Sequence, residues 1–163
     1  MAKREIRIAG DKILDKPCRE VKELTEKEQI LIDDMIETMN DAQGVGLAAP
    51  QVGILKQIAV VDIGDGPVVM INPVIVETEG EQTGDEGCLS VPDKVGTVTR
   101  PMKVRVEAYD REMKKVTIEG EELMARALCH EIDHLGGKLY TSIAVGPLRE
   151  VVYEDDDIEE IEE

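Results

Sequence analysis

The sequence predicts a single α+β domain that contains an amphipathic helix, then a run of strands, then a second helix. The chain has 163 residues, which is the size of one ordinary domain. Helical periodicity occurs in two separate segments, and β-branched runs bounded by turn residues fill the chain between them. Regular β-α-β alternation is absent, which favours the α+β class.

The first helix is predicted at residues 25–42. Its start, with Thr25 followed three positions later by Glu28, has the spacing of a capping box. Gly44 should lie just beyond its end. Apolar residues recur along it at helical spacing, namely Ile32, Met35, Ile36 and Met39.

Strands are predicted in the middle of the chain, at residues 57–63, 68–77, 95–99, 103–110 and 114–119. The turn sequence Gly-Asp-Gly-Pro at 64–67 separates the first two of these runs. The middle of the chain is therefore predicted to be mostly β.

A second helix is predicted at residues 121–135, ending at Gly136 and Gly137, which suit a left-handed C-terminal cap. The helical period places one stripe of this helix towards the core. The stripe consists of Leu123, Ala127, His130 and His134.

Composition limits the class of protein. Phe and Trp are absent, so the core must be aliphatic. The formal net charge of −17 argues against DNA or an anionic membrane as a partner, because both attract basic proteins. No apolar run approaches the roughly 20 residues that cross a bilayer, and the first residues lack a signal peptide's apolar stretch. A cytoplasmic protein is therefore predicted, and three widely spread cysteines agree with a reducing compartment.

The sequence His-Glu-Ile-Asp-His at 130–134 predicts a metal site with a base beside it. On a helix, residues four positions apart share one face, so His130 and His134 can bind one cation. Glu131 points about 100° away, from where its carboxylate can reach a metal-bound water. This is the H-E-x-x-H pattern, in which the glutamate acts as a general base.

A catalytic ion commonly has three protein ligands and an open position, so a third ligand must come from elsewhere. The candidates are Cys88, Cys18, Cys129 and any of many carboxylates. Cys129 directly precedes His130 and therefore points to a different helix face. Cys88 follows Gly87, which permits a tight backbone path that could present the thiolate inward, so Cys88 is favoured.

Three segments in this order resemble the signature motifs of the peptide deformylase family. They are Gly-Val-Gly-Leu-Ala-Ala-Pro-Gln at 44–51, Glu-Gly-Cys-Leu-Ser at 86–90 and His-Glu-Ile-Asp-His-Leu at 130–135. The similarity in pattern runs from about Ile6 to Tyr140. It implies antiparallel β-sheets packed around a central metal-binding helix.

The resemblance implies an enzyme that removes the formyl group from N-formyl-methionyl nascent polypeptides and releases formate. By position, its one divalent metal ion would be bound by Cys88, His130 and His134. The family's native ion is usually Fe²⁺, and Zn²⁺ or Ni²⁺ can substitute. A metal lowers the pKa of bound water from 15.7 to about 7, so hydroxide becomes available as the nucleophile.

The resemblance also implies roles for other residues. Glu131 would act first as general base and then as general acid. The Gln51 side-chain amide and the Leu89 backbone N–H would stabilise the oxyanion. The family's substrate contacts map onto Val45 and Gly46 for the peptide backbone, and onto Arg100, Leu123 and Ala127 for the methionine pocket and its entrance.

The C-terminal segment 150–163 carries nine acidic residues and no basic one, so self-repulsion predicts a disordered tail after a catalytic domain at 1–149. Without the tail the charge is −17 + 9 = −8. The nascent chain at the ribosome is the implied transient partner. The acidic tail should not dock on ribosomal RNA, which would repel it.

Two rival functions use the same residues. A metallopeptidase would use the same ion and Glu131 to cleave peptide bonds, but a cysteine ligand and the segment 44–51 speak against it. A non-enzymatic module that binds a metal or a formyl peptide would require a degenerate site. Every residue expected for the chemistry is present, which favours the enzyme.

Overall fold

The computed structural model describes residues 2–151 of the chain. It contains two α-helices and eight strands in these residues, in the order α1, β1 to β7, α2 and β8. The helices are α1 (Glu26–Asp41) and α2 (Leu123–Leu135). The strands are β1 (Gly46–Ala48), β2 (Ile58–Val61), β3 (Val68–Glu79), β4 (Gln82–Cys88), β5 (Val91–Arg100), β6 (Lys103–Tyr109), β7 (Lys115–Glu121) and β8 (Val145–Glu150).

The strands form two antiparallel sheets. The larger sheet has five strands in the order β1-β2-β3-β6-β7, and the smaller has the order β4-β5-β8. Every pair of neighbouring strands in these sheets is antiparallel. The predicted α+β class is therefore confirmed, with α2 packed against β1, β2 and β7 of the larger sheet.

Three strands were not predicted, and each has a local reason. β1 has only three residues, and β8 contains Gly146 and Pro147, which are poor strand formers. β4 has the sequence Gln-Thr-Gly-Asp-Glu-Gly-Cys, with no β-branched residue except Thr83. Pairing with β5 over Gln82–Glu86 supplies the order that its own side chains do not favour.

Helix α1 packs on the larger sheet as the periodicity predicts. Its buried residues include Ile32, Met35 and Met39, which belong to one apolar cluster with Val60 and Ile71 of the sheet. At its start the Glu28 carboxylate accepts the Thr25 backbone N–H at 2.8 Å, which is half of the predicted capping box.

Helix α2 lies centrally and begins two residues later than predicted. Strand β7 continues to Glu121, and Glu122 takes a positive φ of 57° in the sharp turn that follows. At the other end the Gly137 N–H donates to the His134 carbonyl and the Lys138 N–H to that of Asp133. With Gly137 at φ 82°, this is a Schellman cap at the predicted place.

Among residues 2–151, Tyr140 is the one fully buried aromatic side chain, and Tyr109 packs partly buried against the core, which is otherwise aliphatic as the composition predicts. Around α2, Leu128 and Ala125 pack with Met70 and Val106 of the larger sheet. Leu123 is an exception to the predicted inward stripe, because its side chain is 50% exposed. Leu123 is the first residue of the helix, so no earlier helical turn covers its side chain.

Strand β8 and one further hydrogen bond include two residues of the predicted tail. Glu150 is the last residue of β8, and the Val151 N–H donates to the Asp93 carbonyl at 3.0 Å. These two residues were assigned to the acidic tail. The remainder of the predicted tail, 152–163, lies outside the described residues. Within residues 2–151, neither helix has the length and apolarity that crossing a lipid bilayer requires.

Candidate metal centre and active site

Cys88, His130 and His134 meet in space. Their possible ligand atoms all lie within 4.8 Å of one another, and the Cys88 Sγ is 3.3 Å from the His134 Nε2. Cys88 ends β4, whereas both histidines lie one turn apart on α2. The fold therefore brings the smaller sheet against the helix at the place where the sequence predicts a metal ion.

The donor set fits a divalent transition metal. One thiolate and two imidazoles suit zinc or iron, whereas carboxylate and carbonyl oxygens suit calcium or magnesium. Burial supports the fit, because His130 is 7% and His134 1% exposed. Cys18 and Cys129 are buried outside this cluster, in the apolar core around α2. Burial raises the pKa of both thiols to about 11, which makes them poor thiolate ligands.

Glu86 orients the first histidine. Its Oε2 pairs with the His130 Nδ1, which leaves the His130 Nε2 for the cluster. Carboxylates commonly hold metal-binding histidines in this way, because they fix both the tautomer and the ring orientation. Glu86 belongs to the motif at 86–90, but no role was predicted for it from the sequence. The available signal was an acidic side chain two positions before Cys88, the candidate ligand.

Two arginines hold Glu86 in turn. The Arg100 Nε and Nη2 donate to its two oxygens at 3.1 and 2.7 Å, and the Arg126 Nη1 donates at 2.9 Å. Burial opposes ionisation of Glu86, but hydrogen bonds from His130 and Arg100 outweigh it and lower its pKa to about 2. The carboxylate behind His130 is therefore ionised at neutral pH.

This position of Arg100 corrects the prediction for it. Arg100 was expected at the substrate entrance, but it is only 5% exposed. Besides Glu86, its Nη1 donates to Asp133 at 2.7 Å. Both carboxylates bind the guanidinium, and Glu86 also pairs with His130 of the cluster. Arg100 therefore supports the site from within the protein and is not an exposed contact.

The two histidines differ in their electrostatic surroundings. Burial disfavours a charge on His130, but hydrogen bonds to Cys88 and Glu86 outweigh it and raise its pKa to about 10. Burial and the neighbouring His130 lower the pKa of His134 to about 3. The two imidazoles are therefore shifted in opposite directions by their surroundings.

Glu131 is a buried carboxyl group with an unfilled hydrogen-bonding position. It is 3% exposed, and its Oε1 has no hydrogen-bond partner among the described residues. Burial raises its pKa to about 7. A carboxyl group with a pKa near neutrality can both accept and return a proton, which a general acid–base catalyst requires.

The Gln51 amide is fixed from both ends. Gln51 lies in a short 3₁₀ turn, Ala49–Val52, and is 1% exposed. Its Oε1 accepts the Ala48 N–H at 2.9 Å, so its Nε2 must point the other way. The Nε2 donates to the Ser90 Oγ at 3.0 Å and lies 3.6 Å from the Cys88 Sγ. The amide donor is therefore directed at the cluster.

Leu89 lies in the turn between β4 and β5, next to Cys88. After it, the Ser90 N–H approaches the Cys88 Sγ at 3.4 Å. The Leu89 side chain packs against Gly44, where an added Cβ would lie 2.7 Å from its Cδ1. The segments 44–51 and 86–90 are therefore in direct contact.

The residues expected to bind substrate fall into two groups. Val45 is 44% exposed and directly precedes Gly46, the first residue of the edge strand β1. Leu123 is also exposed, at the start of α2. Ala127, by contrast, is 4% exposed and belongs to the core around α2. Val45 and Leu123 are therefore accessible apolar side chains, whereas Ala127 is covered in this structure.

A groove of about 710 Å³ lies elsewhere, between the larger sheet and the first turn of α2. Val61, Met124 and Glu121 are among its lining residues, and none of the predicted site residues is. We therefore place the chemistry at the cluster and not in this groove, because the groove contains no histidine or cysteine.

Comparison with known proteins agrees with this geometry. The family model described as polypeptide deformylase matches residues 3–148. A peptide deformylase of Agathobacter rectalis is 61% identical over 155 residues, which cover 95% of this chain and 98% of that protein.

Solved structures are similar in the same way. A peptide deformylase from Legionella pneumophila superposes with a TM-score of 0.86 at 46% identity, covering 88% of this chain and 87% of that one. A peptide deformylase from Synechococcus elongatus in complex with actinonin superposes with a TM-score of 0.86 at 37% identity, covering 90% of this chain and 81% of that one.

Proposed function

The chain belongs to the polypeptide deformylase family, and from that membership we propose that it removes the formyl group from N-formyl-methionyl polypeptides and releases formate. The observation that carries the proposal is the meeting of three sequence segments, 44–51, 86–90 and 130–134, at one buried centre. N-formyl-methionyl polypeptides are made at the ribosome, so the expected partner is the nascent polypeptide and the expected compartment is the cytoplasm.

Cys88, His130 and His134 would hold one divalent ion, with Fe²⁺ as the native ion and Zn²⁺ or Ni²⁺ as substitutes. When bound, such an ion acts as a Lewis acid and lowers the pKa of water at its open position from 15.7 to about 7. Glu86 keeps His130 oriented, and the Ser90 N–H approaches the Cys88 Sγ at 3.4 Å. These contacts fix two of the three side chains that would hold the ion.

Glu131 would move the proton. Its carboxylate takes a proton from the attacking water and then gives it to the amine that leaves when the C–N bond of the formamide breaks. The raised pKa of about 7 supports this double role, because neither protonation state is strongly favoured at neutral pH. The buried Oε1 without a partner is the atom available for that proton.

Gln51 and Leu89 would stabilise the negative charge that develops on the formyl oxygen. The Gln51 Nε2 is already directed at the cluster by its bonds to Ala48 and Ser90. Because this amide is held in place before the reaction, little energy is lost in reorientation. Loss of one such donor typically costs about 10²–10³ in rate.

The substrate peptide would lie along Val45 and Gly46. β1 is an edge strand of the larger sheet, so its outer side can pair with an extended peptide. The exposed side chains of Val45 and Leu123 offer apolar contacts for a methionine side chain. Ala127 is covered, so its contact with substrate would require side chains around it to move.

An anaerobic assay tests the proposal. The Fe²⁺-loaded protein, incubated with formyl-Met-Ala-Ser, should release formate and leave Met-Ala-Ser intact. Cleavage between Met and Ala would instead support the metallopeptidase alternative, and binding without any product would support a binding module. Glu131→Gln should keep its metal and lose formate release, because it removes the group that moves the proton.

A further inference from the structure

The N-terminal strap, residues 7–9, connects the two segments that contain the proposed oxyanion donors. The Arg7 N–H donates to the Gln51 carbonyl at 2.7 Å, and the Ala9 N–H donates to the Ser90 carbonyl at 2.7 Å. Gln51 supplies the side-chain donor, and Ser90 directly follows Leu89, which supplies the backbone donor. One short segment therefore holds both donor segments.

The two donating N–H groups of the strap, on Arg7 and Ala9, are two residues apart. In an extended chain, groups two residues apart point to the same side and are roughly 6.6 Å apart. This spacing suits donation to two acceptors at once. The strap is not a core element, since Ile8 is 47% exposed and Ala9 is also exposed.

Both ends of the strap are anchored. The Arg7 guanidinium lies over Gly53, where an added Cβ would be 2.7 Å from its Nη2, and its Nη1 donates to Asp11 at 3.0 Å. After Ala9 the chain turns, with the Asp11 N–H donating to the Ile8 carbonyl at 3.0 Å. Gly10 has φ 104°, whereas Ala9 is not among the positive-φ residues, so this is a type II turn with Ala9 in its second position.

The contacts close a ring. The strap joins Gln51 and Ser90 through their carbonyls, and the Gln51 Nε2 joins them again by donating to the Ser90 Oγ at 3.0 Å. Ser90 is fully buried, and its N–H also approaches the Cys88 Sγ. A shift of the strap would therefore be transmitted to both donors.

We propose that the N-terminal strap is a positioning element of the active site, which sets the separation of the Gln51 amide and the Leu89 N–H through its two backbone hydrogen bonds. This inference rests on the proposed deformylase function. In this role the strap acts on the reaction only through Gln51 and the β4–β5 turn.

Ala9→Pro tests the inference, because proline removes the N–H and little else. The second position of a type II turn favours proline, and Ala9 is exposed, so the turn itself should be retained. We expect kcat to fall about ten-fold, since a small displacement of a catalytic group is costly. KM for formyl-Met-Ala-Ser and bound iron should stay at wild-type values.

Three comparisons separate positioning from a general loss of stability. Ala9→Ser keeps the backbone N–H and should therefore retain the wild-type kcat. Asp65→Pro places proline before Gly66 in another exposed turn, the one between β2 and β3, which makes no hydrogen bond to the strap, and it should leave kcat unchanged. In a Gln51→Ala background the ten-fold penalty of Ala9→Pro should shrink, because one of the two positioned donors is gone. An equal penalty in both backgrounds would overturn the inference.

If Ala9→Pro does not fold, hydrogen exchange of the wild-type protein provides the test. A ligand held by the positioned donors must in turn hold the strap, because coupling between sites is reciprocal. Actinonin, which is bound in the structure of the Synechococcus elongatus deformylase, is the probe. If it binds at the proposed donors, it should slow exchange at the Arg7 and Ala9 amides, and unchanged exchange with bound actinonin would contradict the inference. Absence of formate release by the wild-type protein would defeat the proposed function itself, whereas an active wild type with an unimpaired Ala9→Pro variant would defeat only the role of the strap.

Discussion

Gly46 lies directly against the carboxylate of Glu131. A Cβ added at Gly46 would stand 2.8 Å from the Glu131 Cδ and closer still to its Oε2. Gly46 begins β1, and Glu131 lies on α2, so the missing side chain lets an edge strand approach the buried acid. The glycine is required by this approach, and its own φ is not in the left-handed region.

Gly46→Ala should lower kcat by at least about ten-fold, because the methyl group displaces Glu131, the proposed general base, by a fraction of an ångström or more. Gly44→Ala is the matched control. Its Cβ would meet the far end of the flexible Leu89 side chain, which can rotate away. Steady-state formate release measures both, and equal losses in the two variants would contradict a specific collision with Glu131.

Glu86→Gln should destabilise the protein and weaken metal binding. The substitution leaves Arg100 and Arg126 buried without their shared anion, and breaking such a buried pair costs about 3–5 kcal/mol. Loss of the His130 partner should lower metal affinity by about 10–100-fold. Chemical denaturation and metal titration measure the two effects.

Glu119→Gln is the control for Glu86→Gln. It also removes a carboxylate from an arginine, but the Glu119 side chain is 67% exposed and its pair with Arg105 is on the surface. The free energy of unfolding should change by less than about 1 kcal/mol. A loss as large as that of Glu86→Gln would mean that burial is not the cause.

Cys88→Ala should abolish stoichiometric metal binding, whereas Cys129→Ala should retain it. Cys88 contributes its Sγ to the cluster, but Cys129 lies in the apolar core at 4% exposure. Two imidazoles alone bind a divalent ion weakly compared with a site that includes a thiolate. Elemental analysis after desalting measures metal per chain, and retention of metal by Cys88→Ala would exclude it as a ligand.

Glu28→Gln should lower stability at neutral pH but not at strongly acidic pH. Hydrogen bonds from Lys56 and Thr25 lower the pKa of Glu28 from 4.5 to about 2. A carboxylate whose pKa is lowered in the folded state stabilises the protein fully when the pH is above the group's ordinary pKa of 4.5. This contribution disappears as the pH falls from 4.5 towards 2.

Thermal unfolding measures the effect of Glu28→Gln. A decrease in Tm of roughly 2–4 °C is expected at pH 7 for a domain of this size. Glu26→Gln, an exposed residue in the same first turn, serves as the control and should change Tm much less. A difference between Glu28→Gln and the wild type that does not depend on pH would contradict the ion pair with Lys56.

The elements with a strong local signal were predictable, and those without one were not. The periodic apolar residues of α1 and the glycine cap of α2 are properties of contiguous sequence. β4 is ordered by pairing with β5, and its own residues favour a loop. The same distinction explains Leu123, whose helical position was right although its predicted burial was wrong.

In the candidate site, local spacing and tertiary contact contribute separately. His130 and His134 share a helix face by geometry alone, so their pairing needed no structure. Arg100 was misplaced because an arginine beside Pro101 can equally be exposed or buried. Only its contacts with Glu86 and Asp133, which lie 14 and 33 positions away, decide between the two.

The sequence by itself determined the aliphatic character of the core, the two helices, most of the strands and the pair of histidines around one glutamate. These depend on residues within a few positions of each other, where helix and strand periods apply. The tertiary structure decided that Cys88 meets His134 across 46 positions and that Glu86 holds His130 across 44. It also decided that Gly46 makes room for Glu131 and that the strap reaches Ser90. No local rule specifies such contacts, because they arise only when separate elements pack together.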